Sequence, residues 1–436
     1  MVYLNMEIKQ AIDKSLFCIG AGASCDAKCK TSGEMLDALK KLICSESNDY
    51  FTKTECETIK FLFSCLHYQA EWRTLEANNQ YPIMPNIEEL ALLIRRIKNR
   101  DNFLPYPVTG NWADKLISLE AKFKEENGIQ AGIGLFEKLE DTIKNRLLPK
   151  WLEVQQTDFL KPLDSFFEKN NADFILEIFS LNNDLVFEKH YSENKAKPFR
   201  GFYSGEWRGF YNRPNEEECN RINLYKLHGS LDWIRLSDGN ILENPKLAQL
   251  SEEDDENRIE HNPFIIFGQG IKVFSIEPFV SLIQSFREKL RERSYLFIIG
   301  YSFFDPYINN LLIHAVKEAR EENKKIIIVN PNLAYPSPLE DSHFVVDELL
   351  GCHITDDNYE AKKLLTDYLE DIQRNAFYSE LPEFNIKQIP TESLFYLRMN
   401  TSNFLQHFFS NSGDRLLKLI EKFENERKEG LPFKVD

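Results

Sequence analysis

Nowhere in this chain do two cysteines stand two residues apart. Its eight cysteines are scattered, and the tightest pair, Cys25 and Cys29, has three residues between. Four-thiolate zinc sites are built from CxxC pairs, so no metal is expected. Also missing is any apolar run near the ~20 residues of a membrane span. No leader pattern is visible over Met1–Lys14. The expectation is therefore a cytoplasmic protein with reduced thiols and no membrane contact. Clusters of Lys and Arg are lacking too, and a duplex-binding face needs them to displace counterions from phosphates. With 53 basic against 69 acidic residues and a net charge of −16, direct nucleic-acid binding over a broad face is not expected.

What is present suits a soluble, core-forming chain. At ~100–200 residues per domain, 436 residues make two domains or one with large insertions. Hydrophobic residues are 42% of the total and phenylalanine alone contributes 33, so much of the core should be aromatic. Short apolar runs mark strands at Ser15–Gly20, where the run ends in a tight turn, and at Asp173–Leu181, Asn223–Leu227, Pro263–Phe267, Tyr295–Ile299 and Lys325–Val329. Most are apolar without alternation, the pattern of strands covered on both faces of a parallel sheet. Helical patterns at Phe279–Arg293 and Pro306–Glu322 alternate with the last three. The reading is an α/β fold, a doubly wound, mostly parallel, Rossmann-like sheet.

Between about Gly33 and Glu168 the pattern is helical. Asn86 with Glu89 three residues on makes a capping box ahead of Leu90, Leu93, Ile94 and Ile97. A second helix fits Ile133–Leu152. This stretch is too long for one crossover, so it is read as a large helical insertion. Ser251–Glu260 reads as a solvated acidic loop. Beyond His353 the pattern is helical again, over Leu364–Ile372, Leu394–Phe409 and Asp414–Arg427. The expected division is a domain over 1–352, with its insertion at about 33–168, and a helical C-terminal subdomain over 353–436.

Five short motifs fall at or just past strand ends, where open α/β sheets bind ligands. They are Gly20–Ser24 (GAGAS), Asn182–Asp184 (NND), Leu227–Ser230 (LHGS), Gly300–Ser302 (GYS) and Asn330-Pro331-Asn332. Each alone has a plain structural reading. GAGAS serves as a tight turn, NND as a helix cap, and a single His as a packed residue. Their joint placement along one sheet edge is what points to a site. Asp305 before Pro306 reads as an N-cap and not as a catalytic group. His190 reads as a helix-surface residue, His314 as a mid-helix residue without a catalytic role, and Cys25 with Cys29 as inert thiols.

In order and wording the motifs resemble the sirtuin superfamily, and most nearly its bacterial sirtuin-like NADase branch from antiphage defence. The pieces that carry the resemblance are GAGAS, Pro85–Leu93 (PNIEELALL), Ser180–Asp184 (SLNND), Lys226–Trp233 (KLHGSLDW), Ile299–Asp305 (IGYSFFD) with the helix after it, and Val329–Asn330. It spans roughly Ser15 to Asn332. The resemblance implies NAD as substrate. It implies that Gly20, Ala21, Gly22 and Ser24 form the loop whose backbone approaches the pyrophosphate, with the next helix offering its amino end. Asn182 takes the place of the catalytic Asn at the nicotinamide ribose, and His228 that of the catalytic base. Asp184 takes that of the Asp at the nicotinamide carboxamide. Gly300, Ser302 and Asn330 stand for the loops around adenosine. Both Asn182 and His228 are expected to face a solvent-accessible cleft.

Departures from the family's deacylases sharpen the expectation. The four-cysteine zinc module is missing, and so is the Asp-Phe-Arg segment after the glycine loop. Leu181 stands where deacylases usually have Gln. NAD⁺ hydrolysis to nicotinamide and ADP-ribose is therefore the reading, ahead of protein deacylation, ADP-ribosyl transfer or a non-catalytic NAD or ADP-ribose sensor. The resemblance further implies control by assembly: a homo-oligomer, or a partner such as a HerA-type ATPase of a defence system.

Overall fold

The computed structural model describes residues 11–45, 47–76, 84–99, 111–128, 133–169, 175–192, 197–211, 219–236, 238–243, 263–267, 276–305, 307–312, 314–315, 324–331, 386–388, 394–397, 399–409, 413, 416–418 and 420–421. The chain forms two compact units. One comprises Met1–Cys29, Val154–His228 and Ser275–Asp436; the other comprises Lys30–Glu153 and Gly229–Phe274.

The first unit holds the main sheet. Its strands are β1 (Ser15–Ile19), β2 (Leu176–Ser180), β3 (Lys197–Phe199), β6 (Cys219–Lys226), β9 (Tyr295–Ile299), β10 (Lys325–Val329), β11 (Ile386–Gln388) and β12 (Leu394–Leu397). A short antiparallel pair, β4 (Phe202–Tyr203) and β5 (Glu206–Trp207), follows β3. The spatial order is β11-β12-β10-β9-β1-β2-β6-β3. Every pairing is parallel except that of β11 with β12 at one edge. β1 lies between β9 and β2, so the winding direction reverses at β1, as at the switch point of doubly wound sheets. The α/β, mostly parallel fold read from the apolar runs is the fold observed.

Both faces of this sheet are covered, which explains the unbroken apolar strands. On one face Phe17 stacks on Phe297 at 4.8 Å between ring centres, and Phe404 and Phe408 of the helix Thr401–Phe408 pack on that pair with Phe409. On the other, Phe179 meets Tyr225 at 4.1 Å and Phe286 of the helix Phe279–Glu292 at 5.0 Å. Aromatic pairs of this kind add directional attraction to the apolar area they bury.

Two expectations about elements need correction. Leu394–Phe409 is not one helix: Leu394–Leu397 is the strand β12 beside β10, and only Thr401–Phe408 is helical, capped by Asn400. The described tail is thus built into the sheet and its core and is not a separate helical subdomain. Pro263–Phe267 does not join the sheet; within the second unit Ile265 makes an isolated bridge to Gly229. The acidic loop Ser251–Glu260 and the helix Leu364–Ile372 lie outside the described residues.

The second unit is largely helical. Its helices include Ser32–Ile43, Lys53–Glu76, Ile87–Lys98, Asn111–Asn127 and a helical run over Leu135–Trp151 whose turn Thr142–Leu147 is π-helical. The expected capping box is present. Asn86 Oδ1 accepts from the amides of Glu88 and Glu89 at 2.9 and 3.1 Å, and the Asn86 amide donates to Glu89 Oε2 at 3.0 Å. The antiparallel strands β7 (Trp233–Arg235) and β8 (Ile241–Glu243) also belong here. Among the described residues no helix is long and apolar enough to cross a membrane.

Candidate active site at the carboxyl edge of the sheet

Parallel strands put all their carboxyl ends on one edge. The backbone ladder continues one residue past each strand: Gly20 donates to Ile299 O, Leu181 to Ile19 O, Leu227 to Ser180 O, Gly300 to Val329 O and Asn330 to Leu397 O, at 2.8–3.1 Å. Gly20, Asn182, His228, Gly300 and Asn330 are thereby lined up along that edge. All of them belong to the first compact unit.

The two loops flanking the switch point touch. The Gly22 amide donates to Gly300 O at 2.8 Å. A Cβ on Gly20 would stand 2.7 Å from Tyr301 Cα, and one on Gly22 would stand 2.9 Å from Gly300 Cα. Gly300 has φ +61°, and a Cβ there would lie 2.2 Å from the Ala23 amide. The glycines are therefore needed first to let these loops pack on each other. After Gly20 comes a 3₁₀ turn over Ala21–Ala27, not a long helix. Its Gly22 and Ala23 amides already donate to Gly300 O and Gly20 O. The glycine loop thus runs into a 3₁₀ turn, where the next helix was expected to offer its amino end. Ala21 and Ser302 are exposed, while Ser24 is buried.

Past β2 a hydrogen-bonded frame ties together the residues named for chemistry. Asn182 Nδ2 donates to Gly20 O and to Ser24 Oγ, both at 2.9 Å. Ser24 Oγ donates to Asp184 Oδ2 at 2.6 Å. Asp184 Oδ1 accepts at 3.2 Å from the amide of Val186, the first residue of the helix Val186–His190. Lys226, at the end of β6, donates to Asp184 O. Its ammonium lies 3.7 Å from Glu188, which also pairs with Arg200 at 2.8 Å. A buried lysine needs such partners. Asn183 Nδ2 donates to His228 O at 2.8 Å, joining the β2 and β6 loops.

His228 is held at its ring as well. Its Nε2 lies 3.0 Å from Asp305 Oδ2. Asp305 does cap the helix after it, since Oδ1 accepts from the amides of Tyr307 and Ile308 at 3.0 and 3.4 Å. The reading of Asp305 as a cap alone missed its second oxygen. No sequence signal links it to His228, because the pairing exists only once the ends of β6 and β9 share an edge.

The expected open cleft also needs correction: Asn182 and His228 are only 7% and 8% exposed. His190 is another surprise. Its side chain is buried, with Nε2 3.0 Å from Asp164 Oδ2 and Nδ1 3.1 Å from Thr157 Oγ1, where a helix-surface residue was expected. Among the described residues no group of three or more His, Cys, Asp or Glu could hold a metal ion.

Residues 176–345 match the family model for the SIR2-like domain, a stretch that includes Asn182, Asp184, His228, Gly300, Ser302 and Asn330. Over that stretch the chain is sirtuin-like. Among solved structures it is similar to a triple mutant of Sir2 homologues in complex with 2′-O-acetyl ADP-ribose, at 11% identity over 100% of this chain and 99% of that one, with a TM-score of 0.36. It is likewise similar to a Sir2 homologue–NAD complex, at 14% identity over 81% and 93% of the two chains, with a TM-score of 0.33. No curated protein matches the chain.

Proposed function

We propose that the chain is an NAD⁺ hydrolase that releases nicotinamide and ADP-ribose. The observation that carries this is the single frame of Gly20, Ser24, Asn182 and Asp184, joined through Asn183 to His228, at the switch point of a SIR2-like sheet. The donor set suits a dinucleotide. Amide, hydroxyl and imidazole groups suit ribose hydroxyls, and small loop residues suit close approach of phosphate.

Nicotinamide leaves a cationic ring as a neutral molecule, taking the bonding pair with it, so its departure needs no general acid. Asn182 and Asp184 supply an amide oxygen and a carboxylate for the electron-poor ribose carbon. Nδ2 of Asn182 is engaged by Gly20 and Ser24, so Oδ1 is the atom it has to offer. His228 accepts a proton as water adds to that carbon, and later returns it to solvent. Constant activity would drain a shared cofactor, so control by assembly or by a partner belongs to the same proposal.

The test is product analysis. Purified protein is incubated with NAD⁺, alone and with the products of its neighbouring genes, with and without an acetylated peptide. Nicotinamide and ADP-ribose without peptide are expected. Asn182→Ala and His228→Ala should each lower the rate by about 10²–10⁴-fold, the usual contribution of such groups. Nicotinamide release only with peptide would establish a deacylase instead.

A further inference from the structure

We infer that Asp305 is a positioning residue that fixes His228 with its ring proton on Nε2. This rests on the reading of His228 as the proton acceptor.

Capping needs one carboxylate oxygen, and Asn or Ser would cap as well. Asp305 uses Oδ1 for that purpose and turns Oδ2 to His228 Nε2 at 3.0 Å. An ionised carboxylate only accepts, so the proton of the Oδ2–Nε2 contact sits on Nε2. In the neutral imidazole the lone pair is then on Nδ1, and proton acceptance falls to that atom.

The carboxylate is rigidly placed. The Asp305 amide donates to the Tyr301 hydroxyl at 3.2 Å, and that hydroxyl donates to Asn309 Oδ1 at 2.9 Å. The Asn309 amide donates back to Asp305 O at 2.9 Å, and its side chain donates to Phe303 O at 2.6 Å. The side chains of His228 and Asp305 are 11% and 10% exposed, so water screens their contact weakly. His228 is thus gripped twice: Asn183 holds its carbonyl and Asp305 holds its ring.

Asp305→Asn separates this role from capping. The amide oxygen can still cap, but a side-chain NH₂ facing Nε2 must donate. The imidazole proton then moves to Nδ1, the nitrogen that should carry the lone pair. The expected kinetic result is a kcat lower by about 10²–10⁴-fold with KM within about threefold, the effect of a base held in the wrong tautomer. The melting temperature should stay near that of the parent. Asp305→Ser, which keeps a cap and supplies no carboxylate, should show the same loss and covers the case in which the Asn variant folds poorly.

A second readout does not depend on turnover. With ¹⁵N-labelled histidine, and the His228 signal assigned from a His228→Gln sample, the parent should show the Nε2–H tautomer and Asp305→Asn the Nδ1–H tautomer. An unchanged tautomer, or both variants within about threefold of parent kcat, overturns the inference. If the parent releases no nicotinamide from NAD⁺, the function reading fails, and the tautomer result still decides the role of Asp305.

Discussion

Ser24 joins the two groups on which the candidate site depends. Its hydroxyl accepts from Asn182 Nδ2 and donates to Asp184 Oδ2, and the residue is 5% exposed. Ser24→Ala would leave a carboxylate and an amide hydrogen without that partner in a place water scarcely reaches. The expected cost is about 1–3 kcal/mol, that of stranding buried polar groups. A lower melting temperature and slower nicotinamide release should therefore appear together. If the variant melts and turns over like its parent, Ser24 is not part of the working frame. Residues of this kind differ in how far sequence reveals them. Asn182 and His228 stand out because each sits in a worded motif at a strand end. The bridge by Ser24, the cap-and-clamp role of Asp305 and the burial of His190 against Asp164 do not stand out. Each needs a partner from a distant segment that only the folded sheet brings near.

Elements follow the same division. Strands buried on both faces are legible as apolar runs, and β1, β2, β9 and β10 fall on such runs, whereas β6 begins at Cys219, four residues ahead of the stretch read at Asn223–Leu227. β12 was hidden because Leu394–Leu397 is a four-residue apolar stretch joined to a helical pattern, and short apolar runs do not distinguish strand from helix. Pairing along β10 decides the matter, over Ile326–Val329 and Leu394–Leu397. A chain ending at Cys352 would expose the β10 edge and remove Phe404, Phe408 and Phe409 from Phe17 and Phe297. Burying a phenylalanine contributes roughly 1.5–3 kcal/mol, and three of them rival the ~5–15 kcal/mol that holds a typical domain together. Such a chain should be insoluble or show no cooperative melt. A soluble truncation with a parent-like melt would restore the tail to the status of a separable subdomain.

At the scale of the whole molecule, burial divides the thiols: Cys25 and Cys29 read alike as inert in the sequence, but only Cys29 is buried. Cys18 and Cys65 are fully inaccessible and Cys29 nearly so. Burial pushes all three thiols up to about 12, with the negative charge of Asp184 adding to the effect at Cys29. Cys25 and Cys44 are exposed. Thiolate is the form that reacts with alkylating agents, and at about pH 7.5 a thiol titrating near 12 holds only ~10⁻⁴–10⁻⁵ of it. Brief treatment of native protein with iodoacetamide should therefore modify Cys25 and Cys44 and leave Cys18, Cys29 and Cys65 intact by peptide mass mapping. The protected set samples both compact units, Cys18 and Cys29 in one and Cys65 in the other. Both interiors are thus tested in one sample, and denaturant should make all three reactive. Labelling of Cys29 in native protein would carry the most weight. It would mean that the chain just past Ser24 opens in solution, and that the frame around Asn182 and Asp184 opens with it.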